Sequence, residues 1–524
     1  MLLTAICKIV DNHEEMMMTR PNILFIQVDQ LTASALRAYG NTFCHAPNLD
    51  RLAKEGVVVQ DAYCNFPLCS PSRASMVTGK LCSKIGAYDN AAELPASLPT
   101  YAHYLRAAGY QTSLSGKMHF IGPDQYHGFE KRLTPDLYPA DFSWVPNWGD
   151  EGKRDTNDAR SVTISGICER SVQIDFDDLV TYHAKQHLFD MARSSDTRPF
   201  FMQVSYTHPH EPYLCRKEFW DLYEDIDIPL PEVPALSAAQ HDAHSVRLLT
   251  DFGMLDAPFT EEDIRRSRRA YYGSISYLDQ MIGTILETLT STGYADNTAI
   301  IFTSDHGEML GERGMWFKKH FFEPSLRVPL IMKIPGSAPG IMQTPASLVD
   351  LLPTFMGLAE GSGWTSDIED LDGSDLTAIP HDDPERPIYA EYLAEATTTP
   401  IFMIRRGRYK FVYSRNDPAL LFDLKADPNE MTNLATDLTQ ESLVAEFSSL
   451  IEAKWDSEKL AQDIILSQQR RRLVINGFKH GSKPRWNHGE TPQSKVDWYR
   501  GEGGYNEWAF KYLAPSKSTD SPSS

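Results

Sequence analysis

The stretch Asn22-Ile-Leu-Phe-Ile-Gln-Val28, which Asp29-Gln30 follow directly, decides the fold class. A continuous apolar run of this length is typical of a strand buried on both faces of a parallel sheet. Residues 200–205 and 299–303 form similar runs, and each also ends at polar residues. Predicted helices lie between these strands, so the sequence predicts an α/β protein with a doubly wound, mostly parallel sheet flanked by helices.

The remaining predicted elements divide the chain into four parts. Further strands are predicted at 57–63, 110–114 and 329–334, and helices at 47–56, 100–109, 260–289 and 348–357. For residues 120–195 we expect a long irregular region that contributes to a pocket. A hairpin at 402–413, a strand at 420–424 and a helix at 441–459 predict a smaller α+β subdomain built on an antiparallel sheet. We therefore expect an extension at 1–19, the main α/β domain at 20–385, the C-terminal subdomain at 386–470 and a tail at 471–524, whose last roughly ten residues are disordered.

The composition indicates which classes of binding partner and which cellular compartment we expect. The 524-residue chain has a formal net charge of −21, which argues against a nucleic-acid partner because such binding needs a basic face. Its seven cysteines are irregularly spaced, so we expect a reducing, cytoplasmic location rather than a disulfide framework. No apolar run reaches membrane-spanning length, and residues 1–10 lack the basic start of a signal peptide, so we expect no membrane partner.

Cys69-Ser-Pro-Ser-Arg73 is the first candidate for chemistry. Pro71 biases Ser70 away from helical backbone, so the sequence predicts Ser72 as the N-cap of a helix that continues from Arg73 to Val77. Cys69 then lies just before a helix N-terminus, which favours an anion, and Arg73 can turn its guanidinium toward the same anion. For a lone cysteine, a buried structural thiol is the better interpretation, so the neighbouring motifs decide.

Two polar pairs follow buried strands and point to a metal site. Asp29-Gln30 and Asp305-His306 can meet at one edge of the sheet, together with Cys69. Either pair alone is better explained as a strand-end aspartate that caps a helix. Together they favour a divalent cation: the Asp and Gln oxygens suit Ca²⁺ or Mg²⁺, and His306 also admits Mn²⁺ or Zn²⁺.

Four further residues could bind an anion or move protons. Lys117 and His119 share a face if the preceding strand continues through them, and the alternative is a solvated lysine and a surface histidine. His208, with His210 two residues on, could be an ordinary loop histidine, and Lys318 a surface lysine beside Lys319. Taken with the metal site and Arg73, these residues predict a centre that transfers a sulfuryl or phosphoryl group.

Two segments resemble the signatures of the type I, formylglycine-dependent sulfatases of the alkaline-phosphatase-like superfamily. Cys69-Ser-Pro-Ser-Arg73 resembles C-x-P-x-R, and Gly109-Tyr-Gln-Thr-Ser-Leu-Ser-Gly-Lys-Met-His119 resembles G-Y-x-T-x-x-x-G-K-x-H. The resemblance implies that a formylglycine-generating or sulfatase-maturing enzyme oxidises Cys69 to 3-oxoalanine (formylglycine), whose hydrate is the nucleophile. It also implies one divalent cation held by Asp29, Gln30, residue 69, Asp305 and His306.

The resemblance also implies a role for each remaining candidate. Lys117 and Lys318 neutralise the sulfate oxygens, and Arg73 holds the hydrated aldehyde. His208 donates a proton to the leaving alcohol, and His119 takes the proton of the second hydroxyl so that sulfate is expelled.

Longer segments resemble the choline-sulfatases, among them Tyr88-Asp-Asn-Ala-Ala-Glu93 and Glu391-Tyr-Leu-Ala-Glu395. Most sulfatases have Asp-Asp and Asp-Asn where this chain has Asp29-Gln30 and Asp305-His306. This departure resembles the choline-sulfatases and, in the histidine, the phosphonate monoester hydrolases. By this resemblance Asn90, Trp144 and Glu395 receive a trimethylammonium head, which needs an aromatic face and a carboxylate. Without this resemblance, Trp144 is better explained as a residue of the packed core and Glu395 as a surface charge.

The expected substrate is therefore a small cationic sulfate ester, choline-O-sulfate, with Ca²⁺ as the favoured metal and Mn²⁺ as the alternative. The competing enzyme hypothesis is a phosphonate monoester or phosphodiester hydrolase, or another alkyl or aryl sulfatase, with the same nucleophile. The competing hypothesis outside enzymes is a silent binding protein in which Cys69 is not converted. The aromatic tail from Trp486 to Tyr512 predicts packing on a neighbouring subunit and so a homo-oligomer, either a dimer or a tetramer.

Overall fold

The computed structural model describes residues 20–150, 158–255, 259–482, 484–488, 510, 512 and 513. The predicted extension at 1–19 and most of the predicted tail after residue 488 therefore lie outside the described residues. Within the described ranges, no helix is both long and apolar enough to span a membrane.

Nineteen strands and thirteen α-helices are described. The strands are β1 (Asn22–Asp29), β2 (Val57–Val59), β3 (Ala62–Tyr63), β4 (Gln111–Gly116), β5 (Lys131–Arg132), β6 (Gly166–Ile167), β7 (Arg170–Ser171), β8 (Phe200–Pro209), β9 (Leu214–Cys215), β10 (Thr298–Ser304), β11 (Arg327–Val328), β12 (Leu330–Lys333), β13 (Gly340–Met342), β14 (Ala346–Ser347), β15 (Ile388–Tyr392), β16 (Ile401–Arg406), β17 (Tyr409–Ser414), β18 (Leu420–Asp423) and β19 (Tyr512–Leu513). The helices are α1 (Pro47–Glu55), α2 (Cys69–Thr78), α3 (Cys82–Ile85), α4 (Tyr101–Ala107), α5 (Arg160–Thr163), α6 (Val172–Arg193), α7 (Lys217–Asp221), α8 (Ala243–Asp251), α9 (Glu261–Ser291), α10 (Glu323–Leu326), α11 (Leu351–Glu360), α12 (Glu441–Lys454) and α13 (Ser457–Phe478).

The main sheet has eight strands in the order β13-β2-β12-β10-β1-β8-β4-β5. β1 is parallel to both of its neighbours, and β4 continues the parallel series beyond β8. β12 is antiparallel to β10 and to β2. The carboxyl ends of β10, β1, β8 and β4 therefore meet at one edge, which is where such sheets carry their sites.

Alternate residues of β1 face two apolar layers. Ile23 and Phe25 belong to one core cluster, whereas Leu24, Ile26 and Val28 belong to another. Because side chains alternate across a strand, this division places packed layers on both faces of the sheet. The predicted doubly wound, mostly parallel sheet is confirmed.

The C-terminal region is built on a separate four-stranded sheet in the order β15-β16-β17-β18, with antiparallel pairing throughout. This arrangement confirms the predicted smaller α+β region. The predicted helix at 441–459 is two helices, α12 and α13, because the Asp456 side chain caps a new helix by accepting from the Lys459 N–H. α13 continues to Phe478, across the predicted boundary at residue 470, and the domain limits stay a prediction.

The prediction of a long irregular region over 120–195 is wrong in its last third. Residues 172–193 form α6, which begins at Ser171, whose hydroxyl accepts from the Ile174 N–H at 3.2 Å. The buried side chains recur at helical spacing, which the polar residues between them obscure in the sequence. The apolar ones among them are Ile174, Phe176, Val180, Ala184, Leu188 and Met191. The predicted strand at 57–63 is likewise two short strands, β2 and β3, in different sheets.

Candidate active site

Four neighbouring parallel strands deliver polar side chains to one edge of the sheet. β1 ends at Asp29, and β10 ends one residue before Asp305 and His306. β4 ends one residue before Lys117, and β8 ends one residue before His210. Because these strands are adjacent and parallel, residues far apart in sequence meet around one centre.

Helix α2 supplies Cys69 to that centre. The prediction that Ser72 caps this helix is wrong: the helix begins at Cys69 with Leu68 as its N-cap, four residues earlier than predicted. Pro71 fits inside the first turn because the N–H that it lacks has no partner within the helix there. The Ser72 hydroxyl instead donates to the Asp305 carbonyl at 2.5 Å, which joins the helix to the end of β10.

Asp29, Cys69, Asp305 and His306 form a buried cluster that could hold a metal ion. One ligand atom from each lies within 4.8 Å of the other three. The Cys69 sulfur is 3.2 Å from His306 Nε2 and 3.9 Å from Asp29 Oδ1. Two carboxylates beside an imidazole match the donors that divalent cations take in proteins, so the residues present fit such an ion.

Gln30 is tied to other side chains of the centre. Its backbone is left-handed, with φ of +66°, and its N–H donates to Asp305 Oδ1 at 3.1 Å. Its amide nitrogen donates to the Glu211 carboxylate at 2.6 Å and to the Glu308 carboxylate, and its amide oxygen accepts from Lys318. Two carboxylates on one amide NH₂ group leave the amide oxygen only one orientation, toward Lys318. Neither glutamate is among the predicted site residues.

Arg73 contacts residues on, or directly after, all four central strands. Its Nε donates to Asp305 at 2.8 Å, and Nη2 lies 3.4 Å from Asp29. Its Nη1 donates to the Lys117 carbonyl at 2.8 Å and to the Ser205 hydroxyl at 2.9 Å. Burial lowers the pKa of the guanidinium, but Asp305 and Asp29 outweigh it and hold the pKa above its usual range. Arg73 is thus a fixed positive charge at the centre.

Lys117 and His119 reach the centre from the loop that follows β4. The premise that they share the face of a strand is wrong, since β4 ends at Gly116 and His119 has φ of +56°. Asp136 holds this loop by accepting from the Met118 and His119 N–H groups, both at 2.8 Å. The Lys117 ammonium contacts the Asp29 carboxylate, and burial lowers the pKa of His119 more than the neighbouring Cys69 sulfur raises it. At neutral pH His119 is therefore a neutral base.

The electrostatic field of the centre favours an anion at residue 69. Burial raises the pKa of the Cys69 thiol, but Lys117, Lys318 and His306 outweigh burial and hold that pKa well below its usual range. Lys117 also acts on a carboxylate: burial raises the pKa of Asp29, yet Lys117, His210 and Arg73 lower it to about 2. Positive charge converging on one nucleophile suits a transferring sulfuryl or phosphoryl group.

The structure separates the two histidines at the end of β8, of which His208 lies within the strand and His210 follows it. His208 Nδ1 lies 2.7 Å from the Asp177 carboxylate on α6, and its ring packs edge-on against Tyr277 at 5.1 Å. His210 Nε2, in contrast, lies 2.7 Å from the Lys318 ammonium. His210, rather than the predicted His208, is therefore the histidine in contact with the cations of the centre. Because β8 is buried on both faces, its residue pattern does not indicate which histidine faces the centre.

Two of the three predicted head-group residues, Asn90 and Trp144, contact residues of the centre or their neighbours, and Glu395 pairs with the residue after Lys318. The Asn90 amide oxygen accepts from the Ser70 N–H at 3.0 Å, at the start of α2. Trp144 is 9% exposed, and its ring meets His119 and Tyr138 edge-on at 5.5 Å each. The Glu395 carboxylate is 2.8 Å from the ammonium of Lys319, the residue after Lys318. Trp144 and Glu395 are both buried, so the expectation of a surface charge at Glu395 does not hold.

Comparisons with known proteins agree with this geometry. A family model described as Sulfatase matches residues 21–362, and one described as N-sulphoglucosamine sulphohydrolase, C-terminal, matches residues 311–456. The choline-sulfatase of Rhizobium meliloti (strain 1021) is 46% identical over 90% of this chain and 93% of its own length. The arylsulfatase of Clostridium perfringens (strain 13 / Type A) is 28% identical over 84% of this chain and 97% of its own length. The crystal structure of the phosphonate monoester hydrolase of Agrobacterium radiobacter has a TM-score of 0.68 at 24% identity, covers 83% of this chain and 95% of its own, and has the same fold.

Proposed function

The chain belongs to the sulfatase family, and from this premise we propose that it hydrolyses choline-O-sulfate to choline and sulfate. The observation that best supports this choice of substrate is the 46% identity to a choline-sulfatase over 90% of the chain. The centre supports the reaction class, because Lys117 and Lys318 both lower the pKa of the Cys69 thiol at the edge of the sheet and so favour negative charge at this position. Cations arranged in advance around a nucleophile stabilise the negative charge of a transferring sulfuryl group.

The cofactor chemistry follows from the cluster around residue 69. We propose Ca²⁺, with Mn²⁺ as the alternative, held by Asp29, residue 69, Asp305 and His306. The predicted fifth ligand, Gln30, directs its amide oxygen to Lys318 instead. Such an ion supplies Lewis-acid stabilisation of negative charge. Conversion of Cys69 to formylglycine supplies a hydrated aldehyde, whose second hydroxyl offers a route to release sulfate without a second attack by water.

The chain's own residues bind the ester and move its protons. We propose that Lys117 and Lys318 bind the sulfate oxygens and that Arg73 keeps Asp29 and Asp305 in place beside residue 69. His119, whose pKa is lowered by burial, is neutral and can take a proton from residue 69. We assign the donor to the leaving alcohol to His210 rather than to the predicted His208, because His210 contacts Lys318 while His208 is engaged by Asp177.

The head-group pocket supports a cationic leaving group. A quaternary ammonium has no N–H to donate, so it is recognised by aromatic faces and a carboxylate. Trp144 lies beside His119, and Glu395 is a buried carboxylate beside Lys319. We propose that Asn90, Trp144 and Glu395 receive the trimethylammonium group.

The partners and the location are also proposals. The six described cysteines are all free and buried, which supports a reducing, cytoplasmic location. We propose that a formylglycine-generating or sulfatase-maturing enzyme converts Cys69. We also propose a homo-oligomer, a dimer or a tetramer, assembled through the aromatic C-terminal tail.

One experiment tests the function. The intact mass of the peptide that contains Cys69 reports conversion, because formylglycine is lighter than cysteine. Hydrolysis is then compared as release of sulfate from choline-O-sulfate and 4-nitrophenyl sulfate and as release of phenol from a phenyl phosphonate monoester. A clear preference in kcat/KM for the choline ester supports the proposal. No preference for choline, a preference for the phosphonate, or an unconverted and inactive protein would each overturn it.

Replacing Trp144 tests the head-group pocket. We expect Trp144→Ala to raise KM for choline-O-sulfate about tenfold, because a cation on an aromatic face contributes about 1–2 kcal/mol in a desolvated site. The neutral isostere 3,3-dimethylbutyl sulfate is the control substrate, and its KM rises less. Equal increases for both esters would assign Trp144 to packing rather than to recognition of the cation.

A further inference from the structure

Lys319 holds a positive charge beside the proposed head-group carboxylate. It follows Lys318, yet its ammonium turns away from the sulfate centre and lies 2.8 Å from Glu395 Oε1. The same ammonium is 4.5 Å from the centre of the Phe252 ring. Lys319 and Glu395 are both buried, at 4% and 1% exposure, so solvent screens their charges little. An aromatic ring and a carboxylate are also the groups that recognise a quaternary ammonium.

The backbone around Lys319 is fixed on both sides. Its N–H donates to the Pro67 carbonyl at 3.0 Å, two residues before Cys69. Its carbonyl accepts from His244 Nε2 at 2.9 Å, and its φ of +82° is in the left-handed region. The fold therefore holds this cation close to the segment that leads into α2.

A substrate cation that comes to Glu395 meets a carboxylate whose charge Lys319 already balances. Two like charges about 4 Å apart repel strongly in the low dielectric of a buried site. Resting on the proposed function, we propose that Lys319 is a specificity-determining residue: its ammonium competes with the substrate's cationic head for Glu395 and so weakens the preference for cationic over neutral esters.

A purely structural ion pair would behave differently. If Lys319 only kept Glu395 in position, its removal would release the carboxylate and weaken binding of the cationic ester. If Lys319 competes with the substrate, its removal leaves the full negative charge of Glu395 for the substrate and tightens binding of the cationic ester. The two roles therefore predict opposite changes in KM.

The test compares two esters of the same shape and different charge in the full-length, converted enzyme. Choline-O-sulfate and 3,3-dimethylbutyl sulfate are assayed with the wild type, Lys319→Met, Lys319→Gln and Lys319→Arg. The readout is the KM of the neutral ester divided by the KM of the choline ester. We expect this ratio to rise about tenfold in Lys319→Met and Lys319→Gln and to change less than about twofold in Lys319→Arg, which keeps the cation.

Other outcomes would overturn the proposal. A ratio that falls or does not change in both uncharged variants would assign Lys319 to structure alone, and a rise in Lys319→Arg as large as in Lys319→Met would exclude its charge as the cause. Thermal unfolding identifies any variant that does not fold, and the second uncharged variant then decides.

The variant Glu395→Gln distinguishes failure of the proposal for Lys319 from failure of the proposed function. If the choline preference of the wild type is lost in Glu395→Gln, the head-group site stands whatever Lys319 does. If neither the wild type nor any variant distinguishes the two esters, the proposed function itself fails.

Discussion

Two buried clusters of charge in this molecule have similar residues but different organisation. The reaction centre gathers Lys117, Lys318 and Arg73 around Asp29 and residue 69. The second, which we call the junction cluster, consists of Lys410, Glu323 and Glu430. Lys410 lies on β17 of the C-terminal sheet with no exposed surface, and its ammonium is 2.8 Å from Glu323 Oε1 and 2.5 Å from Glu430 Oε1.

The difference is in where the polar groups are directed. In the junction cluster they satisfy one another: Lys410 also donates to the Phe321 carbonyl at 2.7 Å, and Glu430 accepts from the Glu323 N–H at 2.8 Å. In the reaction centre, cations from separate segments act on one sulfur atom and lower its pKa. Buried charge alone therefore does not indicate catalysis. Convergence on a nucleophile at the carboxyl ends of parallel strands does.

The largest expected effect comes from removing the nucleophile. Cys69→Ala should reduce kcat for choline-O-sulfate by at least about 10⁴-fold, because no other side chain can take the place of residue 69. The apparent unfolding temperature should change little, since Cys69 is a small side chain. Sulfate release and thermal unfolding check both statements. Residual activity within a hundredfold of the wild type would contradict the assignment of residue 69.

Breaking the junction cluster should affect stability instead of catalysis. Lys410→Met leaves Glu323 and Glu430 buried without their cation, which should reduce the free energy of unfolding by about 3–5 kcal/mol. Urea unfolding measures this loss, and kcat/KM in the folded range should stay within about threefold of the wild type. Lys217→Met is a matched control, because its ion pair with Asp221 is exposed and should contribute less than about 1 kcal/mol. If activity falls by more than the loss of stability explains, the junction cluster also affects catalysis and the distinction between the two clusters does not hold.

His208 and His210, at the end of β8, allow a similar comparison between two neighbouring residues of the same type. His210→Ala should lower kcat for choline-O-sulfate about 10²-fold, because general acid catalysis matters most when the leaving alcohol is a poor leaving group. For 4-nitrophenyl sulfate, whose leaving group needs no proton, the loss should be much smaller. His208→Ala should affect the two substrates equally. A substrate-dependent loss in His208→Ala and an equal loss in His210→Ala would restore the original assignment.

The smallest expected effect concerns a buried histidine outside both clusters. Burial, with help from Lys131, lowers the pKa of His187 on α6 to about 4. The unfolded chain binds a proton near pH 6.5 while the folded protein does not, so stability is present above pH 6.5 and falls as the pH drops toward 4, by about 1.4 kcal/mol per pH unit. His187→Gln should reduce the slope of stability against pH in that window, measured by urea unfolding at pH 7 and pH 5. His183→Gln, half-buried on the same helix, should reduce it less.

The sequence predicts the central strands and the convergence of Asp29, Asp305 and His306. A continuous apolar run followed by polar residues is typical of a buried parallel strand, and the carboxyl ends of such strands meet at one edge of the sheet. Other features depend on tertiary contacts that local pattern does not contain. The start of α2 depends on Pro71 being accepted in a first turn, and the choice between His208 and His210 depends on Asp177, which lies on a helix that the sequence did not predict. The orientation of Gln30 depends on Glu211 and Glu308, which become its neighbours only when β8 and β10 lie on either side of β1.

The burial of α2 sets a time limit on maturation. Every residue of this helix is buried, and Cys69 is only 3% exposed, so a maturing enzyme can reach it only while the chain is unfolded. The strands that enclose Cys69 are complete only after residue 305 has been synthesised, about 230 residues later. At about 10 residues per second this interval lasts about 20 s. The proposed conversion of Cys69 would therefore be in kinetic competition with translation and folding, and we expect the fraction of active molecules to depend on the rate at which the host makes the chain.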